Sequence, residues 1–521
     1  MSRFVRASKY RHVFGQNGKK EYGFDNVKVT NSAWDTNVIS ASTRYVSLNW
    51  NSSGGGAFAI LPLPSPFAPL PSAFPSKLPD LIPLARSHSG PVLDTDWSPF
   101  NDSIVASAGE DGKVMIWKVE SGAFEGWGED GWEPRDFDPV ARLDVSPRRV
   151  GHVLFHPTAN NVLATSTGDH VVKLWDLANP ESAKSVLGGH GDAIQSITFN
   201  PWGTVLVTTC RDRKIRLFDP RAGGDPVRVG EGHSGIKGAR VVWMGDKDRL
   251  ATTGFSKMSD RQVALWETGG LGNVKTITID QTSGVLMPFW TDNNILFLAG
   301  KGDGNIRYYE YESDNLFPLA EYKSSEPQRG MCFLPRRGLS VSDCEIARAL
   351  KVAANSIEAI AFIVPRKSDS FQSDIYPPAP SAEPALTAAE FFSGKNAPPK
   401  LVSLEDGSIS SVTGSAPIAT PAPAPTRTTS APPPAAAPAT PAIVVRDEPS
   451  PAPSPVAAPP RIEPTRSQSL SQDNSEVSSL REENARLTSE LREARAQIRN
   501  LELQVETVRA NARKAAALLD S

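Results

Sequence analysis

An aspartate stands six positions before an aromatic residue five times along this chain: Asp111 before Trp117, Asp169 before Trp175, Asp212 before Phe218, Asp260 before Trp266 and Asp303 before Tyr309. The aromatic anchors lie 58, 43, 48 and 43 residues apart. That spacing straddles the roughly 40 to 45 residue period of four-stranded propeller blades once loop insertions are allowed. No other feature constrains the fold as tightly, because a unit of this size cannot bury its own apolar face and must stack on a neighbour. Around the anchors the pattern is that of strands. "NVLATST" and "HVVKLWDL" are β-branched and apolar, separated by a Gly-Asp turn suited to a tight hairpin.

The aspartate therefore belongs to a turn, and its neighbours suggest what it holds. His88, Ser107, Asp111 and Trp117 match the WD-repeat tetrad, in which turn carboxylate, histidine, strand hydroxyl and indole N–H are hydrogen-bonded, as buried polar groups require. His190, Thr208 and Asp212 repeat the arrangement, with Phe218 in place of the indole. Thr165, Asp169 and Trp175 lack the histidine, whose place falls near Ser146. Asp260 with Trp266, and Asp303, continue the series. A catalytic acid–base pair is the alternative reading of His88 with Asp111, but recurrence in several units favours a structural role. Residues 33–63 read as a degenerate first blade and residues 344–365 as late strands, which makes seven blades. Pairing the chain's two ends would remove an exposed sheet edge.

The rest of the 521 residues divide by composition. Residues 1–375 are expected to form the propeller with a basic N-terminal segment, and 376–411 an extension packed on it through Phe391 and Phe392. Residues 412–472 are rich in Pro, Ala and Ser and hold too few large apolar residues to offset chain entropy, so a disordered linker is expected. From 473 to 521 the period becomes seven. Position a holds Val477, Asn484, Leu491, Ile498 and Val505, and position d holds Leu480, Leu487, Leu501 and Val508. This seam predicts an α-helical parallel coiled coil, with Asn484 specifying register at a cost in stability.

A formal net charge of −3 gives no global attraction to nucleic acid or anionic lipid. Three cysteines without paired spacing, Cys210, Cys332 and Cys344, argue against a disulfide framework or zinc site and fit a reducing cytosol. The charged N-terminus lacks the apolar run of a secretory signal, and no stretch reaches the roughly 20 apolar residues of a membrane span. "GKGDGN" (300–305) resembles a phosphate-binding loop but lies between two strands, so a hairpin turn is expected. The insertion at 123–139 carries Trp127 and Trp132 among acidic residues and reads either as a partner loop or as a solvated excursion. No catalytic cluster, metal site or cofactor is expected.

"SRFVRASKYRHVFGQ", "GGGAFAILPL", "TTGFSKMSDRQVALWE", "EPQRGMCFLPRRGLSVSDCEIAR" and "PRKSDSFQSDIYPP" resemble signatures of the coronins rather than generic WD repeats. The resemblance implies a non-enzymatic scaffold at the cortical actin cytoskeleton of the cytoplasm. It would bind actin filaments and work with the actin-related protein 2/3 complex and with cofilin in branched-network assembly and turnover. In that family a basic first-blade residue matters for filament binding, and "FDNVKV" places Lys28 there. Arg3, Arg6, Lys9, Arg11, Lys19 and Lys20 concentrate further positive charge, suited to the acidic surface of actin. Coronin coils often trimerise through an Arg-apolar-x-x-apolar-Glu motif. Gln497, Ile498, Leu501 and Glu502 match it imperfectly, which with Asn484 leaves dimer and trimer both open, and the resemblance favours the trimer. A WD-repeat scaffold for trafficking or ubiquitin-ligase assembly, reading a peptide on the propeller face, is the alternative.

Overall fold

The computed structural model describes residues 6–64, 74–127, 129, 131–366 and 370–411. All of them belong to one compact unit, residues 1–428. Arg3 and the heptad seam, with Leu480, Asn484, Leu487, Leu491, Ile498, Leu501, Glu502, Val505 and Val508, lie outside the described residues.

Seven antiparallel sheets follow one another around a ring. Blade 1 comprises Ile39–Ala41, Tyr45–Trp50, Gly56–Pro62 and Leu84–His88. Blade 2 runs from Val92 to Asp144, blade 3 from Val150 to Leu187, blade 4 from Ile194 to Glu231, blade 5 from Arg240 to Asp280 and blade 6 from Leu286 to Lys323. In each of them the first strand in sequence is innermost. The repeat produces this architecture because blades 1 to 6 are each built from consecutive local hairpins whose turns sit where the chain can reverse. In blade 3, Val162↔Asp176 and Ser166↔Val172 pair across the turn at Asp169, and His170 takes a left-handed φ of 63°. Glycine would adopt that conformation at less cost, and Gly112 does so in the matching turn of blade 2 with φ of 79°.

The core lies between blades rather than at one centre. Ala106, Ile116 and Leu143 of blade 2 pack on Val153, Leu163 and Trp175 of blade 3. Each buried tryptophan removes about 200 Å² from water, worth roughly 5 kcal/mol gross at 25 cal/mol per Å².

Blade 7 shows how the ring closes. Gly330–Phe333, Glu345–Val352 and Ser356–Ile363 supply three strands, and Phe14–Asn17 adds the fourth, with Phe14↔Ile363 and Asn17↔Ile360 in register. Phe24 then pairs with Ile357, so one blade contains both ends of the propeller's sequence and its outer edge is covered. The covering strand comes from the basic N-terminal segment, upstream of the first blade.

The described extension returns across the other face. Arg336 donates to the carbonyl of Pro377 at 2.6 Å, and Leu386 bridges to Ala159. The helix Ala388–Phe392 starts with a capping box, Glu390 N–H to Thr387 Oγ1 at 3.3 Å and Thr387 N–H to the Glu390 carboxylate at 3.0 Å. Phe391 is buried with its ring 4.3 Å from that of His156. The 123–139 insertion is anchored at one end and exposed at residues 133–136. Trp127 is buried, stacked on Trp132 at 5.1 Å and set 4.8 Å from Phe74, so the insertion's aromatic part packs where blades 1 and 2 adjoin.

Candidate functional site

The blade-2 constellation is complete. The Trp117 indole donates to Ser107 Oγ at 2.9 Å, Ser107 Oγ is 2.8 Å from His88 Nε2, and His88 Nδ1 is 3.0 Å from Asp111. An indole can only donate, so the hydroxyl proton points to Nε2 and the imidazole donates from Nδ1 to the carboxylate. Burial pushes the Asp111 carboxyl up, but the hydrogen bonds it accepts from His88 and from the Ser89 and Lys113 N–H groups outweigh it and hold the group below its ordinary range. Gly109 is required here, because a Cβ would lie 2.4 Å from both Asp111 and His88. Serine, histidine and aspartate in this order imitate a nucleophilic triad. Ser107 is nevertheless fully buried beneath Trp117, and no substrate carbonyl can reach it.

The other blades keep parts of the network. In blade 3 the Trp175 indole donates to Thr165 at 3.0 Å, and Ser146 donates to Asp169 from the histidine's place. Blade 4 departs from expectation. His190 Nε2 meets Thr208 at 2.9 Å, but Nδ1 faces the carbonyl of His170 at 3.0 Å rather than Asp212. Arg216, one strand turn away, holds Asp212 with both terminal nitrogens, at 3.0 and 2.5 Å. A bidentate charged pair displaces the weaker imidazole bond. In blade 5 the Trp266 indole donates to Thr252 at 2.7 Å and His233 Nε2 lies 2.8 Å from the same hydroxyl. Asp260 stays outside this group and binds Ser256 at 2.8 Å and Gln281 at 3.2 Å. His233 escaped the sequence reading although the Gly-His pair of "EGHSG" marks it as "SH" marks His88. Asp303 likewise joins no histidine: Arg261 donates to it at 2.7 Å while also gripping Asp280.

The innermost strands enclose a channel of about 540 Å³ lined by Asp94, Asp96, His152, Arg240 and Trp290. Residues 34–37 lie across one mouth. Trp34 donates to Gly151 O at 2.8 Å, Asp35 pairs with Arg240 at 3.1 Å and Lys301 at 2.9 Å, Thr36 donates to Leu93 O, and Met331 N–H reaches Asn37 O at 3.2 Å. Five blades are thereby tied to one short segment. Burial pushes the Asp94 and Asp96 carboxyls up to about 8 and about 7, and His152 down to about 3. Among the described residues no group of three His, Cys, Asp or Glu is placed to hold a metal ion. Nor is any helix there long and apolar enough to cross a membrane.

The N-terminal cations do not form one cluster, which corrects the expectation from their closeness in sequence. Arg6 is bound to Glu310 and Glu312 of blade 6 and lies 4.3 Å from the Phe317 ring. Lys9 donates to the carbonyl of Asp374. Two carboxylates neutralise Arg6, and both side chains act as internal ties. Arg11 is exposed, as is Lys19, 3.7 Å from Glu21, while Lys20 opens the turn Lys20–Tyr22. Lys28 sits at the seam of blades 7 and 1, between the Phe24↔Ile357 pair and the Val29↔Trp50 bridge. Its exposed ammonium bonds the main-chain carbonyl of Asp80 at 3.0 Å rather than a carboxylate. Asn26 supports the same loop by donating to Leu78 O at 2.8 Å.

Family models for WD repeats match residues 82–118, 138–176 and 182–219, a further WD40 type matches 357–399, and a domain of unknown function matches 3–67. Coronin-A of Dictyostelium discoideum is 44% identical over 411 residues, covering 78% of this chain and 87% of that protein. Human coronin-2A is 40% identical over 414 residues, covering 77% and 75%. The chain belongs to the coronin family. The coronin-like protein crn1 of Schizosaccharomyces pombe is 52% identical over 408 residues, or 77% of this chain, and the chain spans 65% of that relative's length. The crystal structure of the WD40 domain of Toxoplasma gondii coronin is similar with a TM-score of 0.68 at 28% identity, covering 76% of this chain and 97% of that one. Two of the coronin signatures fall on structural joints of this fold. "SRFVRASKYRHVFGQ" carries the closing strand, and "EPQRGMCFLPRRGLSVSDCEIAR" carries blade 7 and Arg336, which anchors the extension.

Proposed function

We propose that this coronin is an actin-filament-binding scaffold that regulates actin dynamics in the cytoplasm, at cortical actin patches. It binds and crosslinks filaments, and it works with the actin-related protein 2/3 complex and cofilin in branched-network assembly and turnover. Lys28 is the site residue, and the observation that carries the reading is its exposure at the seam of blades 7 and 1 with a carbonyl, not a carboxylate, on its ammonium. Such a charge stays available to an acidic partner surface, whereas Arg6 does not. Arg11 and Lys19 add to the positive potential, and the tail of residues 473–521 gathers chains through its heptads, as a trimer in preference to a dimer. Linking propellers in this way raises avidity by roughly 10²- to 10⁴-fold where both sites can engage.

Cosedimentation of the full chain with actin filaments over a salt series tests the reading. Binding should weaken as ionic strength rises. Lys28→Asp should cost on the order of 2–5 kcal/mol if the residue is desolvated at the interface. Normal binding by Lys28→Asp would remove the site, and failure of the intact chain to sediment with filaments at low salt would remove the function.

A further inference from the structure

Ile236 and Met258 are the two most exposed large apolar side chains among the described residues, at 78% and 83%. They lie on adjacent connections, Ile236 between blades 4 and 5 and Met258 at the tip of the turn between Phe255 and Arg261. The two connections are stitched together, because Gly235 N–H donates to Phe255 O at 2.8 Å and the Lys237 ammonium lies 4.8 Å from the Phe255 ring. The Met258 turn is built rather than loose. Ser256 N–H donates to Asp260 O at 2.8 Å, Ser256 Oγ to the Asp260 carboxylate at 2.8 Å, and Met258 N–H to Ser256 Oγ at 3.1 Å. Exposing methionine at a fixed point leaves its apolar surface in water with no return inside the fold.

Cations predominate around this pair. Arg213, Lys237 and Lys257 are exposed and have no ion-pair partner among the described residues. Of the nearby carboxylates, Asp212 is paired with Arg216 and Asp192 with Arg211 at 2.9 Å, which leaves Asp260, held by Ser256 and Gln281 in the Met258 turn, against three free cations. A narrow crevice of about 10 Å³ lies beside Ile236, lined by Arg211, Arg213 and Lys237. The sequence stretch that supplies Met258, "TTGFSKMSDRQVALWE", is one of the family signatures, and neither the blade networks nor the Lys28 seam accounts for its exposed tip. Blades 4 and 5 face blades 7 and 1 across the ring, so this surface and the Lys28 seam are separate.

We propose that this face of blades 4 and 5 docks an acidic, amphipathic peptide segment of a protein partner. Its apolar side chains rest on Ile236 and Met258, and its carboxylates meet Arg213, Lys237 and Lys257. Exposed methionine suits this task because its unbranched, polarisable side chain repacks against varied apolar groups. The flanking cations select sign and speed encounter.

The probe is a fluorescein-labelled twelve-residue peptide of alternating glutamate and leucine pairs, titrated with the full-length protein by fluorescence anisotropy at low ionic strength. Micromolar binding is expected, at least tenfold weaker for Ile236→Ser/Met258→Ser and for Lys237→Glu/Lys257→Glu. All four side chains are exposed, so circular dichroism of both variants should match the parent. A peptide with glutamine for glutamate should bind at least tenfold more weakly. Equal affinity of parent and variants, or of the acidic and glutamine peptides, would overturn the proposal. So would absent peptide binding with loss of filament cosedimentation or of phosphatidylserine vesicle binding in the same variants, which would assign the face to the filament or to lipid.

Discussion

Ser107→Ala isolates the energetic role of the turn networks. The hydroxyl is fully buried and serves two partners at once, the Trp117 indole at 2.9 Å and His88 Nε2 at 2.8 Å. Alanine fits the space but leaves both without a partner, and each buried unpaired group costs about 1–3 kcal/mol. The sum is about 2–6 kcal/mol, from which roughly 1 kcal/mol is recovered because the hydroxyl itself no longer needs desolvation. A loss of about 3 kcal/mol is therefore expected. Thr208→Val in blade 4 is the internal control, since Phe218 has no donor and only His190 Nε2 is orphaned, for about 1–2 kcal/mol. Urea unfolding followed by tryptophan fluorescence, with the shift in midpoint multiplied by a shared slope, reads both values. The reasoning fails if Ser107→Ala lies within about 1 kcal/mol of the parent, or if Thr208→Val costs as much.

The channel carboxylates give two expectations of opposite sign. Asp94 is pushed up to about 8 by burial, above its unfolded value of about 3.9. Its contribution is thus fully present below about pH 4 and is lost as pH rises through 8. Asp94→Asn keeps an acceptor for the Val153 N–H and should stabilise the chain by at least about 1 kcal/mol at pH 9 relative to pH 5, checked by urea midpoints at both. At Asp35 burial pushes upward, but Arg240 and Lys301 outweigh it and bring the carboxyl down to about 2. Its contribution is present above about pH 4 and disappears as pH falls toward 2. Asp35→Asn should therefore destabilise at pH 7 by about 1–3 kcal/mol and much less at pH 2, read from thermal midpoints across that range.

The blade networks were legible to the extent that they depend on local spacing. A strand hydroxyl and the aromatic anchor lie about ten residues apart across one hairpin, so Ser107 and Trp117 meet wherever it forms, and Asp111 in the turn joins them through His88. His190 and Asp212 sit at the expected offsets and still do not bond, because the competing Arg216 comes from the same hairpin with a stronger claim on the carboxylate. The N-terminal cations were the least legible. Their crowding in the first 20 residues suggests one patch, yet Arg6 is paired 304 positions away in sequence.

The repeat and its hairpins are thus encoded in short-range periodicity, since each hairpin satisfies its own backbone bonds whatever the rest of the chain does. Ring closure and the fate of each surface charge depend on pairs such as Phe14 with Ile363 and Arg6 with Glu310. Those contacts exist only after seven sheets have stacked, because nothing in a local window records which distant carboxylate or sheet edge will arrive beside it.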